Sequence, residues 1–239
     1  MAGAQRAGTY PWIPRGLSQS PSFLHLARHQ LVNPYYKDVA PKRAAHRPSR
    51  KHAVVEAAMH LYATKDPSAI TVADIAAQAA MSAAAVYYHY ATKEDVLLEG
   101  LLEFAQVFSN EVAVFLCAGD TYSLANLPVH LLDVLDQHRD AAIIWFTHDD
   151  ELSTAAEARR RITNEVVIAE LVKAVKANHP EYPLPHACVV AVGLFSVVEI
   201  SARAWLTREL RLVEGREYAF RGEVAALAAR ILASPVPVK

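Results

Sequence analysis

Thr71–Lys93, TVADIAAQAAMSAAAVYYHYATK, reads as a short helix, a tight turn, a second short helix and the cap of a third. Thr71 can cap the first helix, with Asp74 three residues on in the place of a capping-box acid. Val72, Ile75, Ala76 and Ala79 fall at i, i+3, i+4 and i+7, one narrow apolar stripe. The small Ala76 and Ala80 let two helices cross closely. Ser82 caps the next helix, where Val86 and Tyr90 share a face. Ala83 with Tyr87, and Ala84 with Tyr88, lie on neighbouring faces. Thr92 with Asp95 is a further cap, ahead of an apolar-periodic run from Val96. Two short helices crossing around small residues, the second presenting polar aromatics outward, make the architecture of a helix-turn-helix DNA reader.

Outward from this stretch the chain reads as helix throughout. Val54–Tyr62 is a helix before it, separated by a loop at Lys65–Ile70 in which Pro67 blocks continuation. After Lys93 a long helix runs to about Leu116, with Val96, Leu97, Leu101, Phe104, Ala105 and Phe108 on its apolar face. Ala118–Ser123 is a loop, and Leu124–Gln137 and Ala141–Phe146 are shorter helices. Thr154 with Glu157 reads as a capping box opening a helix to about Ala177. Asn178–Pro185 is a proline-rich connection, followed by a long, almost wholly apolar helix from His186 to about Leu212 and a last one from Tyr218 to Ala233. The fold class is all-α. The last two helices are apolar on more than one face, and the core covers only one side of each. A symmetry mate is the natural second cover, giving a four-helix interface in a two-fold homodimer.

Val54–Leu98 resembles the DNA-binding domain of the tetracycline-repressor (TetR) family of bacterial regulators. VVEAAMHLY matches the first-helix pattern of that family, TVADIAAQAAMS its second helix and turn, and VYYHY followed by TKEDVLL its ending. The resemblance implies an N-terminal three-helix reader and a larger C-terminal helical domain for effector binding and dimerisation. The expected boundaries are a basic, proline-containing arm over residues 1–46, disordered when free, a reader over 47–98 and the effector domain over 99–239. Longer than the arms usual in the family, this arm has no role that the resemblance supplies.

The chain has 239 residues and a formal net charge of −1, which hides an asymmetry. Nine of its 24 Lys and Arg lie in residues 1–51, against Asp38 alone of its 25 acids. A basic arm on an acidic body suits a polyanion. Cys117 and Cys188 fit no metal or redox spacing and read as reduced, buried thiols. No secretory leader is evident, and the most apolar run, Ala187–Val198, falls short of the ~20 residues of a membrane span. The expectation is a cytoplasmic protein with no membrane partner, metal or cofactor.

A two-fold dimer sets two recognition helices in successive major grooves, ~34–36 Å apart, so the expected partner is double-stranded DNA carrying a palindromic operator. The usual Ser-Lys-Gly-Thr start of the recognition helix in the family is here Ser82, Ala83, Ala84, Ala85. Alanine offers no hydrogen bond, though its methyl can meet a thymine methyl. Polar reading therefore falls on Tyr87, Tyr88 and His89 with Ser82. The resemblance implies that Tyr87 and His89 hold phosphates, that Thr71 caps at the backbone and that Lys93 neutralises a phosphate. Residues 52–100 hold only Lys65 and Lys93 as cations against six acids, so affinity should depend on Arg47, Arg50, Lys51 and the arm.

The larger domain should enclose a small-molecule pocket, with Phe104, Phe108, Phe115, Trp145, Phe146, Phe195 and Trp205 as candidate lining. Glu199, beside Ser196 and Arg203 on an apolar helix, needs a partner: either Arg203 at i+4 or a polar group of the ligand. The aromatic and aliphatic bias points to a lipophilic effector that favours one dimer geometry and, by the resemblance, releases the operator. An enzyme is disfavoured: His148-Asp149-Asp150 comes with no HExxH, GxSxG, P-loop or GxGxxG. The alternative reading is a helical scaffold that has lost specific DNA binding and acts through a protein partner.

Overall fold

Nine helices carry the described residues, and each begins or ends where the local chemistry requires. The computed structural model describes residues 50–118, 124–148, 153–207 and 215–236, all within one compact unit spanning 43–239. The arm, Arg47 and the expected helical stretch 208–212 lie outside the described residues. No strand occurs among the described residues.

The reader comprises α1 (Arg50–Thr64), α2 (Val72–Gln78) and α3 (Ala83–Tyr87). α1 has no glycine or proline and buries Val54, Val55, Ala58, Leu61 and Tyr62. Asp66 ends the gap after it by accepting the Ser68 N–H, capping a single turn over Pro67–Ala69. α2 and α3 have seven and five residues, too short to persist alone. They are held by burial of Ile75, Ala76 and Val86 against α1 and each other.

α4 (Lys93–Cys117) joins reader to body. It crosses α1 at Gly100, where an added Cβ would collide with Sδ and Cγ of Met59 and come within 3.2 Å of Val55 Cγ1. Any larger residue there would require the Met59 side chain to shift. At the surface of the same crossing Lys51 Nζ meets Glu99 Oε1 at 2.6 Å. The body continues with α5 (Leu127–Gln137), α6 (Arg139–Thr147), α7 (Thr154–Asn178), α8 (Leu184–Thr207) and α9 (Glu217–Leu232). α8 is central, packing on α5, α6, α7 and α9, while α7 also packs on α4. α6 reaches back to α1, where His60 Nδ1 and Asp140 Oδ2 lie 3.1 Å apart.

The core between α4 and α6 is a set of aromatic rings in contact. Phe104 and Phe108 stack at 6.1 Å between centroids, Phe104 lies 5.6 Å from Trp145, and Phe108 meets Phe146 edge-on at 5.8 Å. The proline-rich connection after α7 is anchored rather than loose. Lys176 Nζ donates to the Pro180 and Tyr182 carbonyls, and the Tyr182 hydroxyl donates to Leu232 O at 2.7 Å, fixing the end of α9.

The starts of α7 and α8 depart from the sequence reading. α7 is capped by Ser153, whose extended backbone lets Oγ accept from Ala156 N at 3.3 Å; Thr154 is already inside the helix, so the expected Thr154–Glu157 capping box does not form. α8 begins at Leu184, with Pro185 in its first turn, where a missing N–H costs nothing. The long apolar stretch is also more than the twelve-residue run suggested. α4 and α8 are both long and apolar enough by composition to cross a membrane, yet about half of each apolar window (44% and 50%) is buried inside the helical body, as core helices are.

Candidate DNA-reading surface and effector cavity

The turn between α2 and α3 is fixed from both sides. Thr71 Oγ1 accepts from Asp74 N while the Asp74 carboxylate accepts from Thr71 N, a complete capping box. The Thr71 hydroxyl, 2.6 Å from the same carboxylate, together with the Thr71 N–H holds the Asp74 carboxyl below its usual range. At the other end of α2, Met81 N donates to Ala76 O and Ala80 N to Ala77 O, the paired bonds of a Schellman stop. That stop demands a left-handed residue, and Ala80 supplies it at φ 52°. Ser82 Oγ then accepts from Ala85 N and starts α3.

α3 turns Val86 and, beyond its end, Tyr90 into the core and sends Tyr87, Tyr88 and His89 outward. Tyr87 is 56% exposed and Tyr88 84%, the latter edge-on to His89 at 5.0 Å between ring centroids. Ser82 is exposed and Ala83 half-buried. Tyr90 roots the element: its ring lies under Lys51 Nζ, 5.4 Å from the centroid, and burial with Glu99 and Glu103 nearby pushes its phenol above the usual range. Arg50 and Lys51 stand exposed at the start of α1.

Lys93 is committed to a task that spacing did not reveal. Its Nζ donates to the carbonyls of Pro67 and Ile70, both at 2.8 Å, so two of its three N–H groups lock the loop between α1 and α2. Thr92 and Asp95 form the second complete capping box, opening α4 beside this loop.

In the body, the expected effector residues divide into two sets. Phe104, Phe108 and Phe195 are buried in the packed core. Trp205 packs on α9, stacked on Phe220 under the Arg221 guanidinium, and its Nε1 donates to Asp136 Oδ1 at 2.8 Å. Phe115 stands by His130, 5.2 Å between ring centroids. Trp145, Phe146 and Glu199 instead line a cavity of about 770 Å³ between α7, α8 and the end of α6. Glu199 accepts from Asn164 Nδ2 at 3.3 Å, a cross-helix partner that neither option considered from sequence had named. Arg160 Nη1 donates to Trp145 O at 3.2 Å, joining α7 to the end of α6. Glu157, Arg161, Glu165 and Arg203 complete a charged rim over an aromatic floor. The i, i+4 ladder Glu157–Arg161–Glu165 was present in the sequence, but such a ladder equally marks a plain solvated face. Among the described residues no group of His, Cys, Asp and Glu could hold a metal ion, and Cys117 and Cys188 are free thiols; Cys117 is exposed and Cys188 half-buried, against the expectation that both are buried.

Residues 54–99 match the family model described as bacterial regulatory proteins, tetR family. No curated protein matches the chain. Solved structures share the fold at low identity. The fatty acid degradation regulator FadR of Bacillus halodurans superposes with a TM-score of 0.59 at 14% identity, over 80% of this chain and 97% of that one. FadR of Bacillus subtilis, solved in complex with stearoyl-CoA, gives 0.58 at 11%, over 77% and 98%. A TetR-family transcriptional regulator from Bordetella parapertussis gives 0.57 at 17%, over 78% and 93%.

Proposed function

We propose, for a chain that belongs to the tetR family of bacterial regulatory proteins and is a non-enzymatic, DNA-binding transcriptional regulator, that it represses transcription from a palindromic operator as a homodimer and is released by a small molecule. The observation that carries this reading is α3, which buries Val86 and presents Tyr87, Tyr88 and His89 from a helix-turn-helix closed by two capping boxes. Residues 47–98 read the operator from the cytoplasm, Arg47, Arg50, Lys51 and the 1–46 arm add phosphate contacts, and residues 99–239 bind the effector and dimerise. Dimerisation through α8 and α9 is supported by an apolar face of α8 that stays open in one chain: Val189 and Ile200 are each 71% exposed, with Val192 between them and Leu227 on α9. A second copy covers such a face in a four-helix bundle.

The effector reading is a ligand with an apolar body and a charged head. Trp145 and Phe146 take part in both the aromatic core and the cavity floor, and the charged rim lies above them. Stearoyl-CoA, bound by the Bacillus subtilis FadR, has that form and is the first compound to try. Release of the protein from its operator by stearoyl-CoA but not by coenzyme A alone supports a lipophilic effector; release by neither removes this compound class.

Selection of bound sequences from a random duplex pool, with full-length protein at moderate salt, tests the reader. A recovered palindrome with half-sites about one helical turn apart supports the dimeric repressor. The run Ala83–Ala85 in place of polar readers favours a second reading, a helical scaffold without specific DNA binding. Failure of folded, dimeric protein to enrich any sequence would favour that one instead.

A further inference from the structure

We infer that this reader specifies its half-site through thymine methyl groups, met by the Tyr88 ring and the Ala84 methyl, rather than through hydrogen bonds to guanine or adenine. The inference rests on the reading of α3 as the recognition helix. At about 100° per residue, Ala84 and Tyr88 each lie about 160° around the helix from Val86, one on either side of the direction opposite the core. Val86 is buried and both others are exposed, Tyr88 almost wholly. Tyr88 N donates to Ala84 O at 3.0 Å and Tyr88 keeps helical backbone angles, so the two side chains sit one above the other on the outermost face.

What that face lacks is equally specific. Guanine is read by the fork of arginine or the ammonium of lysine, adenine by the amide of asparagine or glutamine, and cytosine by a carboxylate. Between Lys65 and Lys93 the sequence has no arginine or lysine, and its two carboxylates, Asp66 and Asp74, are engaged by Ser68 and Thr71. The one amide, Gln78, is on α2, the helix that crosses the backbone in this motif. Ser82 Oγ already accepts from Ala85 N at the base of α3. The centre of the reading face therefore offers the Ala84 methyl and the Tyr88 ring, with the Tyr88 hydroxyl as its one polar group, and the apolar group exposed in the major groove is the C5 methyl of thymine.

The experiment uses full-length protein and the duplex it selects from a random pool, resynthesised with deoxyuridine for thymine inside the half-sites. Deoxyuridine keeps every hydrogen-bonding group and lacks only the methyl. The expected result is a loss of about fourfold in affinity for each contacted methyl removed, so tenfold or more for the substituted operator. Deoxyuridine outside the half-sites leaves affinity unchanged. Ala84→Gly and Tyr88→Ala, checked for folding by their thermal transitions, weaken binding to the thymine duplex and show a much smaller deoxyuridine effect than the parent protein. Equal affinity for the thymine and deoxyuridine operators, or a selected half-site of G·C pairs alone, overturns the inference while leaving the DNA reader intact. Failure to select any sequence removes the DNA-reading function and this inference with it.

Discussion

Ala80→Gly should stabilise the protein, because Ala80 is held in a conformation that its side chain resists. Its φ of 52° is imposed by the Schellman stop of α2, where Ala80 N and Met81 N close back on Ala77 O and Ala76 O. A left-handed backbone costs an L-residue with a Cβ roughly 1–2 kcal/mol, and glycine nothing. Glycine in turn gives the unfolded chain more freedom, which takes back about 0.4–1 kcal/mol. Ala80 is exposed, so no packing is lost on removing its methyl. The balance is a gain of about 0.8 kcal/mol, or about 2–3 °C in Tm for a chain of this size. Thermal unfolding followed by circular dichroism at 222 nm resolves such a shift. Ala80→Val, branched at Cβ, should lower Tm, giving the two variants opposite signs. If Ala80→Gly left Tm unchanged or reduced it, the strain assigned to this turn would be refuted.

Four further outcomes follow from the same geometry. Lys93→Gln should cost about 1–2 kcal/mol by removing a charged donor from the Pro67 and Ile70 carbonyls, and should change the salt dependence of duplex binding little; a large fall in that slope at unchanged Tm would mean that Lys93 serves a phosphate instead. Thr71→Ala should cost about 1 kcal/mol through the lost cap, read from the same melting curves, and an unchanged Tm would contradict it. Burial, with Glu94 adding, pushes the Tyr62 phenol up to about 12, so the folded protein keeps a proton there that the unfolded chain sheds near pH 10; this contribution to stability is complete below pH 10 and is lost between about pH 10 and 12, and a chemical-denaturation midpoint constant across that window would contradict it. Deleting residues 1–46, which carry six of the basic residues, should weaken duplex binding and reduce the slope of log affinity against log salt by at most about 5 per protomer, about 11 for the homodimer; equal affinity and slope in the truncated protein would leave the arm without a phosphate role.

The reader was legible from sequence because its signals are local. Thr71 with Asp74 and Thr92 with Asp95 are spaced for the bonds they make, and the four-residue step from Val86 to Tyr90 fixes which face of α3 turns inward. The effector side was legible only as composition. Aromatic residues at helical spacing look alike whether they pack on one another, as Phe104 and Phe108 do, or floor a cavity, as Trp145 and Phe146 also do. Which of the two applies depends on helix crossings between residues far apart in the chain. The clamp made by Lys93 and the pairing of Asn164 with Glu199 are of that kind, joining positions 26 and 35 residues apart. Ser153 and Thr154 show the limit of local signals too: both can cap, and one step of register decides between them.

The nine residues of α6 connect two distant tasks without a joint. Asp140, at one end, faces His60 on the first helix of the reader; Trp145 and Phe146, at the other, floor the cavity. At about 1.5 Å per residue the separation is only about 7.5 Å, and no glycine or proline interrupts the rod. The helix therefore links the cavity lining to α1 with no intervening loop. On the proposed function, a genetic screen for mutants that still bind operator but ignore inducer should find the hits that touch neither DNA nor ligand crowded into this one helix and the α1 surface beneath it.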